Sequence, residues 1–131
     1  MVSSIRPFLM FKGEAEDALS VYTSLFPGSS VSEIVFYGPD GPGAEGTVLQ
    51  AKFNLAGQEV MCIDTPVAHD FALTPAFSFF VDCSSEAELD RIAAVLGDGG
   101  RVFMPLDTYG FSRRFTWLSD RFGVSWQLNL P

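Results

Sequence analysis

Few residues of this chain are equipped for chemistry, and their placement narrows the choices further. His69 is the only histidine. Asp64 and Asp70 lie close enough in sequence to orient its ring. A lone histidine in a linker ordinarily serves as a turn or surface residue. No serine sits in a Gly-x-Ser-x-Gly turn, so the hydrolase nucleophile elbow is absent. Cys62 and Cys83 cannot build a disulfide framework and read as free thiols, acting as small buried hydrophobes. One histidine and two cysteines are a thin supply for zinc or iron.

The acids and glycines read in the same way. Glu14, Glu16, Asp17, Glu86, Glu88 and Asp90 fall in expected first helical turns or loops, where carboxylates are solvated. Glu59 is the one acid inside an interior-looking strand, and alternation can turn it outward. The run from Gly38 to Gly46 is glycine-rich, but no Lys-Ser or Lys-Thr follows and no helix opens there. It is therefore not a phosphate-binding P-loop. It reads as a loop between strands, with a flap over a pocket as the functional alternative.

The elements that must position these groups occur twice. Residues 7–65 read strand, helix and three strands, and residues 76–130 read the same. In the expected helix 14–26, Ala18, Val21, Tyr22, Leu25 and Phe26 fall at i, i+3, i+4, i+7 and i+8, one helical face. Pro27-Gly28 stops it. In the expected helix 85–96, Ser85 and Glu88 have capping-box spacing, and Leu89, Ile92, Ala93 and Leu96 form the apolar face. The strands expected are 7–11, 31–37, 47–55 and 59–63, then 76–81, 101–105, 113–118 and 124–130. Gly57-Gln58 and Phe122-Gly123 make the turn before each final strand.

Composition bounds the function classes. A chain of 131 residues can bury about two-thirds of its unfolded surface as one compact soluble domain. No run approaches the ~20 apolar residues of a membrane helix. The formal net charge of -8 argues against a nucleic-acid partner, which requires a basic surface. No signal-like leader is present, so a cytoplasmic location is expected.

The duplicated order resembles the vicinal oxygen chelate superfamily, the glyoxalase, bleomycin-resistance and extradiol dioxygenase group. Particular strings resemble its PhnB-like branch, often labelled demethylubiquinone methyltransferase-like. They are Pro7-Phe8-Leu9-Met10-Phe11-Lys12-Gly13-Glu14-Ala15-Glu16-Asp17-Ala18 and Tyr22-Thr23-Ser24-Leu25-Phe26-Pro27-Gly28-Ser29. Thr74-Pro75-Ala76-Phe77-Ser78-Phe79-Phe80-Val81 and Asp120-Arg121-Phe122-Gly123-Val124-Ser125-Trp126-Gln127-Leu128 continue the likeness over essentially the whole chain. The resemblance implies an α+β fold: two βαβββ modules, about 5–65 and 75–131, forming a curved mixed sheet around a cavity. It also implies a homodimer, because modules of this superfamily can pair across chains.

The superfamily often holds a divalent metal with four inward residues on the first and last strands of each module. Those places fall here at or near Pro7, Met61 or Cys62, Ala76 and Gln127. Only Gln127, and conceivably Cys62, carries a donor, whereas a hard cation takes several oxygen ligands. The usual metal site is thus expected to be dismantled, with no metal, no cofactor and no assigned catalytic residue. Typical methyltransferases bind S-adenosylmethionine at a glycine-rich turn in a doubly wound sheet, and neither feature is legible here.

What remains is a small-molecule cavity. Strand alternation groups Pro7, Leu9 and Phe11 on one face, Ala76, Ser78 and Phe80 on another, and Ser125, Gln127 and Asn129 on a third. If these faces are concave, the pocket is apolar with a polar strip, and Phe8, Met10, Phe77, Phe79, Trp126 and Leu128 pack under the helices. The segment from Tyr109 to Trp117 adds aromatic rings and two cations, suited to an anionic or aromatic ligand. The candidate ligand-binding residues are Phe11, Ser78, Tyr109, Arg114, Trp117 and Gln127. The function expected is that of a small-molecule-binding protein or enzyme of this branch. Its alternatives are a metal-dependent lyase, isomerase or dioxygenase with atypical ligands, and a drug-sequestering module.

Overall fold

The computed structural model describes residues 1–131, and in it the strand–helix–three-strand order occurs twice. The first pass is β1 (Phe8–Phe11), α1 (Ala15–Leu25), β2 (Ser30–Phe36), β3 (Val48–Leu55) and β4 (Gln58–Asp64). The second is β5 (Ser78–Asp82), α2 (Glu86–Gly97), β6 (Arg101–Tyr109), β7 (Ser112–Ser119) and β8 (Ser125–Leu130). The chain divides into two compact units, Met1–Phe71 and Ala72–Pro131. Each holds one four-stranded mixed sheet, ordered β1-β4-β3-β2 and β5-β8-β7-β6. In both, the first strand runs parallel to the last, and the remaining pairs are antiparallel. The parallel pair requires a long crossover, and the helix lies within it. No helix is long and apolar enough to cross a membrane.

Two element boundaries differ from the expectation by more than one residue. β5 begins at Ser78, because residues 75–76 form a turn. β6 continues past Pro105 to Tyr109. Proline is tolerated there because β6 is the edge of its sheet and needs no ladder donor on the outer side.

In α1, Ala15, Ala18, Leu19, Tyr22 and Leu25 are buried. Its N-cap, Glu14, makes no side-chain cap. The Asp64 carboxylate of β4 does that work instead. Its Oδ1 accepts the N–H groups of Gly13 (2.8 Å) and Ala15 (3.0 Å), and its Oδ2 accepts that of Val48 (2.8 Å). The buried charge is stabilised by three donors and by the positive end of the helix. Gly13 sits at φ +101°, where a side chain would be strained.

In α2, Ser85 Oγ accepts the Glu88 N–H at 3.1 Å, as the capping-box spacing requires. Glu88 reaches one residue further back than the motif predicts, accepting the Ser84 N–H at 2.9 Å. A second buried acid, Asp120, shapes the turn before β8. Its Oδ1 accepts the Phe122 and Val124 N–H groups, and its Oδ2 accepts the Trp126 indole N–H at 2.8 Å.

The glycine-rich segment between β2 and β3 is built around Tyr37. Gly46 donates to the Tyr37 carbonyl at 3.0 Å, and the Tyr37 hydroxyl donates to the Asp64 carbonyl at 3.1 Å. Gly43 lies so close to the Tyr37 ring that any Cβ there would collide with it. Neither a phosphate cradle nor a free flap describes this packing.

Candidate functional site

Each sheet has one face under its helix and one face open, and fixed contacts identify which is which. In the first unit, Asp64 reaches the start of α1, so its face is the helix face. Phe11 pairs with Asp64, and Leu9 with Cys62, in the parallel ladder. Leu9, Phe11, Ala51, Phe53, Val60 and Cys62 accordingly form the buried side. Phe8 opposite Met61, and Met10 opposite Ile63, take the open side. In the second unit, Arg114 bonds to Asp90 of α2, so its face is the helix face. Thr116, Leu118, Trp126, Leu128 and Leu130 share it by register.

The open face of the second unit is arranged in three rows across β5, β8 and β7. The rows are Ser78–Ser125–Ser119, Phe80–Gln127–Trp117 and Asp82–Asn129–Phe115. In the first row, the Ser78 and Ser125 hydroxyls lie 2.6 Å apart, and the Trp117 indole N–H donates to Ser125 Oγ at 2.9 Å. In the second, Trp117 packs against Phe103 with centroids 5.0 Å apart. In the third, Phe115 is boxed by Phe80 (6.3 Å), Tyr109 (5.8 Å) and Phe111 (4.9 Å). Tyr109 and Phe111 stack on one another at 5.7 Å. The arrangement is an aromatic box beside a strip of hydroxyl and amide groups.

One atom of that strip is unmatched. Asn129 Nδ2 donates to Asp82 Oδ1 at 2.9 Å. A carboxylate accepts only, so this bond orients the amide. Asn129 Oδ1 then points into a buried position with no hydrogen-bond partner, in a side chain only 8% exposed.

Four of the six residues singled out from sequence gather on this face or its aromatic wall: Ser78, Tyr109, Trp117 and Gln127. Two do not. Phe11 is 3% exposed on the helix face of the first unit, which reverses the expected assignment of Leu9 and Phe11 to the cavity side. All four residues of β1 are apolar, so alternation finds two faces but not which one the helix covers. Arg114 is the second, turned toward α2 by ion pairing with Asp90 (2.6 Å) and Glu86 (3.8 Å). Phe103 joins the aromatic group without a signal in the sequence, since β6 carries register shifts that disrupt its alternation.

The remaining candidates are accounted for elsewhere. Burial, then the charge of Asp64, pushes the Cys62 thiol up to about 12. Burial, then Glu88 and Asp82, pushes Cys83 up to about 11 against the opposing pull of Arg91. Neither is a thiolate near neutral pH, so neither is an activated nucleophile. His69 lies 3.0 Å from Thr65 Oγ1 and stacks on Phe71. Asp64 does not orient it, because that carboxylate is occupied by backbone donors.

The divalent metal associated with this fold can be tested against the donors present. The strand register puts Phe8 beside Met61 in one unit, and Phe80 beside Gln127 in the other. Pro7 and Ala76 lie just outside the strands. Within neither unit do three His, Cys, Asp or Glu side chains come together. A thioether, two phenyl rings and one amide do not fit a hard cation, which takes several oxygen ligands.

Known proteins resemble the chain throughout its length. A PhnB protein of Bacillus cereus, bearing the name 3-demethylubiquinone-9 3-methyltransferase, is 50% identical and superposes with a TM-score of 0.96 over 98% of this chain and 100% of its own. Protein PA1353 of Pseudomonas aeruginosa is 27% identical, with a TM-score of 0.83 over 98% of each chain. The fosfomycin resistance protein FosX of Listeria monocytogenes shares the fold at 12% identity, with a TM-score of 0.65 over 100% of this chain and 95% of its own. No curated protein matches. The model of the 3-demethylubiquinone-9 3-methyltransferase family matches residues 3–129. The chain therefore belongs to that PhnB-like family, with the two-module fold of the vicinal oxygen chelate proteins.

Proposed function

We propose that this protein binds a small aromatic molecule bearing an N–H or O–H donor on the open face of its second unit. The observation that carries the reading is the orphaned Asn129 Oδ1 beside the box of Phe80, Tyr109, Phe111 and Phe115. A buried acceptor without a partner costs about 1–3 kcal/mol, which a ligand donor would recover. The rings supply apolar area and edge or face contacts for an aromatic group. Ser78, Ser125 and Gln127 add the few polar groups that orient a ligand in such a site.

Binding without the usual divalent metal is the preferred form of this reading, because the open-face donors are poor ligands for it. The serine hydroxyls do not form a hydrolytic pair, since Ser125 is bonded to an indole donor and to Ser78 rather than to a base. Methyl transfer, the activity in the family's name, would need a cofactor cradle that two four-stranded mixed sheets do not supply in the typical way. The homodimer is part of the proposal. Phe8, Phe77 and Phe80 are 50–60% exposed, more aromatic surface than an isolated chain ordinarily leaves in water.

Calorimetric titration with a panel of phenols and aromatic amines tests the reading. Saturable binding that Asn129→Leu and Trp117→Leu both abolish is the supporting result. Binding unaffected by either would overturn it, as would stoichiometric divalent metal in protein purified without chelators. Recovery of bound ligand unchanged after long incubation would favour sequestration over turnover. Light scattering at micromolar concentration should give the mass of two chains.

A further inference from the structure

The first unit also carries a surface groove. A groove of about 480 Å³ is lined by Arg6, Ser30, Lys52, Asn54, Glu59 and the Gly57 turn, among other residues. Its walls come from β2, β3 and β4, with Arg6 entering from the segment before β1. Ser30 pairs with Asn54, and Asn54 with Glu59, in adjacent ladders, so these three side chains share one face of the sheet.

The polar groups of this groove are unequally satisfied. Lys52 is paired with Glu33 at 3.2 Å. Arg6 is half-buried and takes part in no ion pair or hydrogen bond. Asn54 Oδ1 accepts the Gly57 N–H at 2.7 Å, which leaves its Nδ2 donors unused. The Glu59 carboxylate also has no partner, and it stands more than an ion-pair distance from Arg6. Acids outnumber bases two to one in this chain of net charge -8, so a cation without an acidic partner marks a place where an external anion can bind.

We propose that this groove is a binding site for a small oxyanion, a carboxylate or a phosphate, whose carrier also bears a hydroxyl or ammonium donor. Arg6 takes the oxyanion through its planar fork of N–H groups. Asn54 Nδ2 and the Ser30 hydroxyl supply neutral donors to the remaining oxygens. Glu59 accepts from the hydroxyl or ammonium and excludes ligands that carry only negative charge. Every residue lining this groove belongs to the first unit, whereas the aromatic face proposed above belongs to the second.

The test is amide chemical-shift titration of the full chain with two probes, D-glycerate and glycerol 3-phosphate, in low salt. Saturable shifts at Ser30, Asn54 and Gly57 are expected with at least one of them. The tighter probe identifies whether carboxylate or phosphate is the natural anion. Arg6→Gln should weaken binding of the tighter probe about tenfold or more. Glu59→Gln should weaken it while strengthening binding of inorganic phosphate, which the carboxylate repels. Neither substitution disturbs a buried contact, so both variants should keep the wild-type spectrum elsewhere. The absence of saturable shifts with either probe would overturn the proposal, as would an affinity insensitive to Arg6→Gln.

Discussion

Asn129 donates from Nδ2 to Asp82 Oδ1 across the β8–β5 ladder, and this single bond commits its Oδ1 to a buried position without a donor. The protein thus retains an unfavourable group on the face where its polar strip and its aromatic box meet. Replacing Asn129 by Leu removes both the orphaned oxygen and a hydrogen bond to an exposed carboxylate. The expected result is stability within about 1 kcal/mol of wild type, or slightly above it, since an apolar group suits a buried position better than an unpaired amide. Urea denaturation measures this, and a large loss of stability would contradict it.

The opposite outcome is expected at Asp64. Its carboxylate satisfies three backbone donors, two at the start of α1 and one on β3. Asp64→Ala leaves all three without their acceptor in a buried position. A loss of at least ~3 kcal/mol is expected, from about 1–3 kcal/mol for each abandoned group with incomplete additivity. Asp64→Asn should recover part of it, because one oxygen acceptor remains. Denaturation midpoints for the two variants separate these outcomes.

The buried thiols make stability sensitive to alkaline pH. Cys62 is raised from 9.0 to about 12, by burial first and then by Asp64. The folded state holds the proton more tightly than the unfolded state does. Its stabilising contribution is therefore complete below pH 9 and is lost as the pH rises from about 9 toward 12. Denaturation midpoints should fall over this window, and less steeply in a Cys62→Ala variant compared with its own value at pH 8. Near neutral pH, a thiol reagent should label the native protein only as fast as it opens.

Arg114 separates a structural cation from a ligand-binding one. Its side chain is directed to Asp90 and Glu86 on α2, away from the aromatic face. Arg114→Ala should shift the denaturation midpoint only slightly, as is usual for partly exposed ion pairs. It should leave ligand affinity unchanged in a calorimetric titration, whereas Trp117→Leu should reduce it.

Local chemistry was enough to reveal much of this protein. The apolar spacing from Ala18 to Leu25, and the Ser85–Glu88 pair, depend on contacts within a few residues, so both helices and the repeat that contains them were legible. The pattern in β8 was equally readable, because Gln127 alternates with Trp126 and Leu128, which differ from it in polarity. That is why alternation alone sets Gln127 and Ser78 on the face opposite Trp126 and Leu128.

The sequence by itself therefore determined the duplicated strand–helix order, the apolar face of each helix and the polar strip of β8. Tertiary structure alone decided which side of β1 is buried, since Phe8, Leu9, Met10 and Phe11 offer an apolar side chain to either face. It also decided the fate of Arg114, which the β7–β8 register turns toward α2, and the capping of α1 by an acid 49 residues away. The physical reason is the same in each case. Periodicity is a property of neighbouring residues, whereas register and burial arise only when distant strands meet.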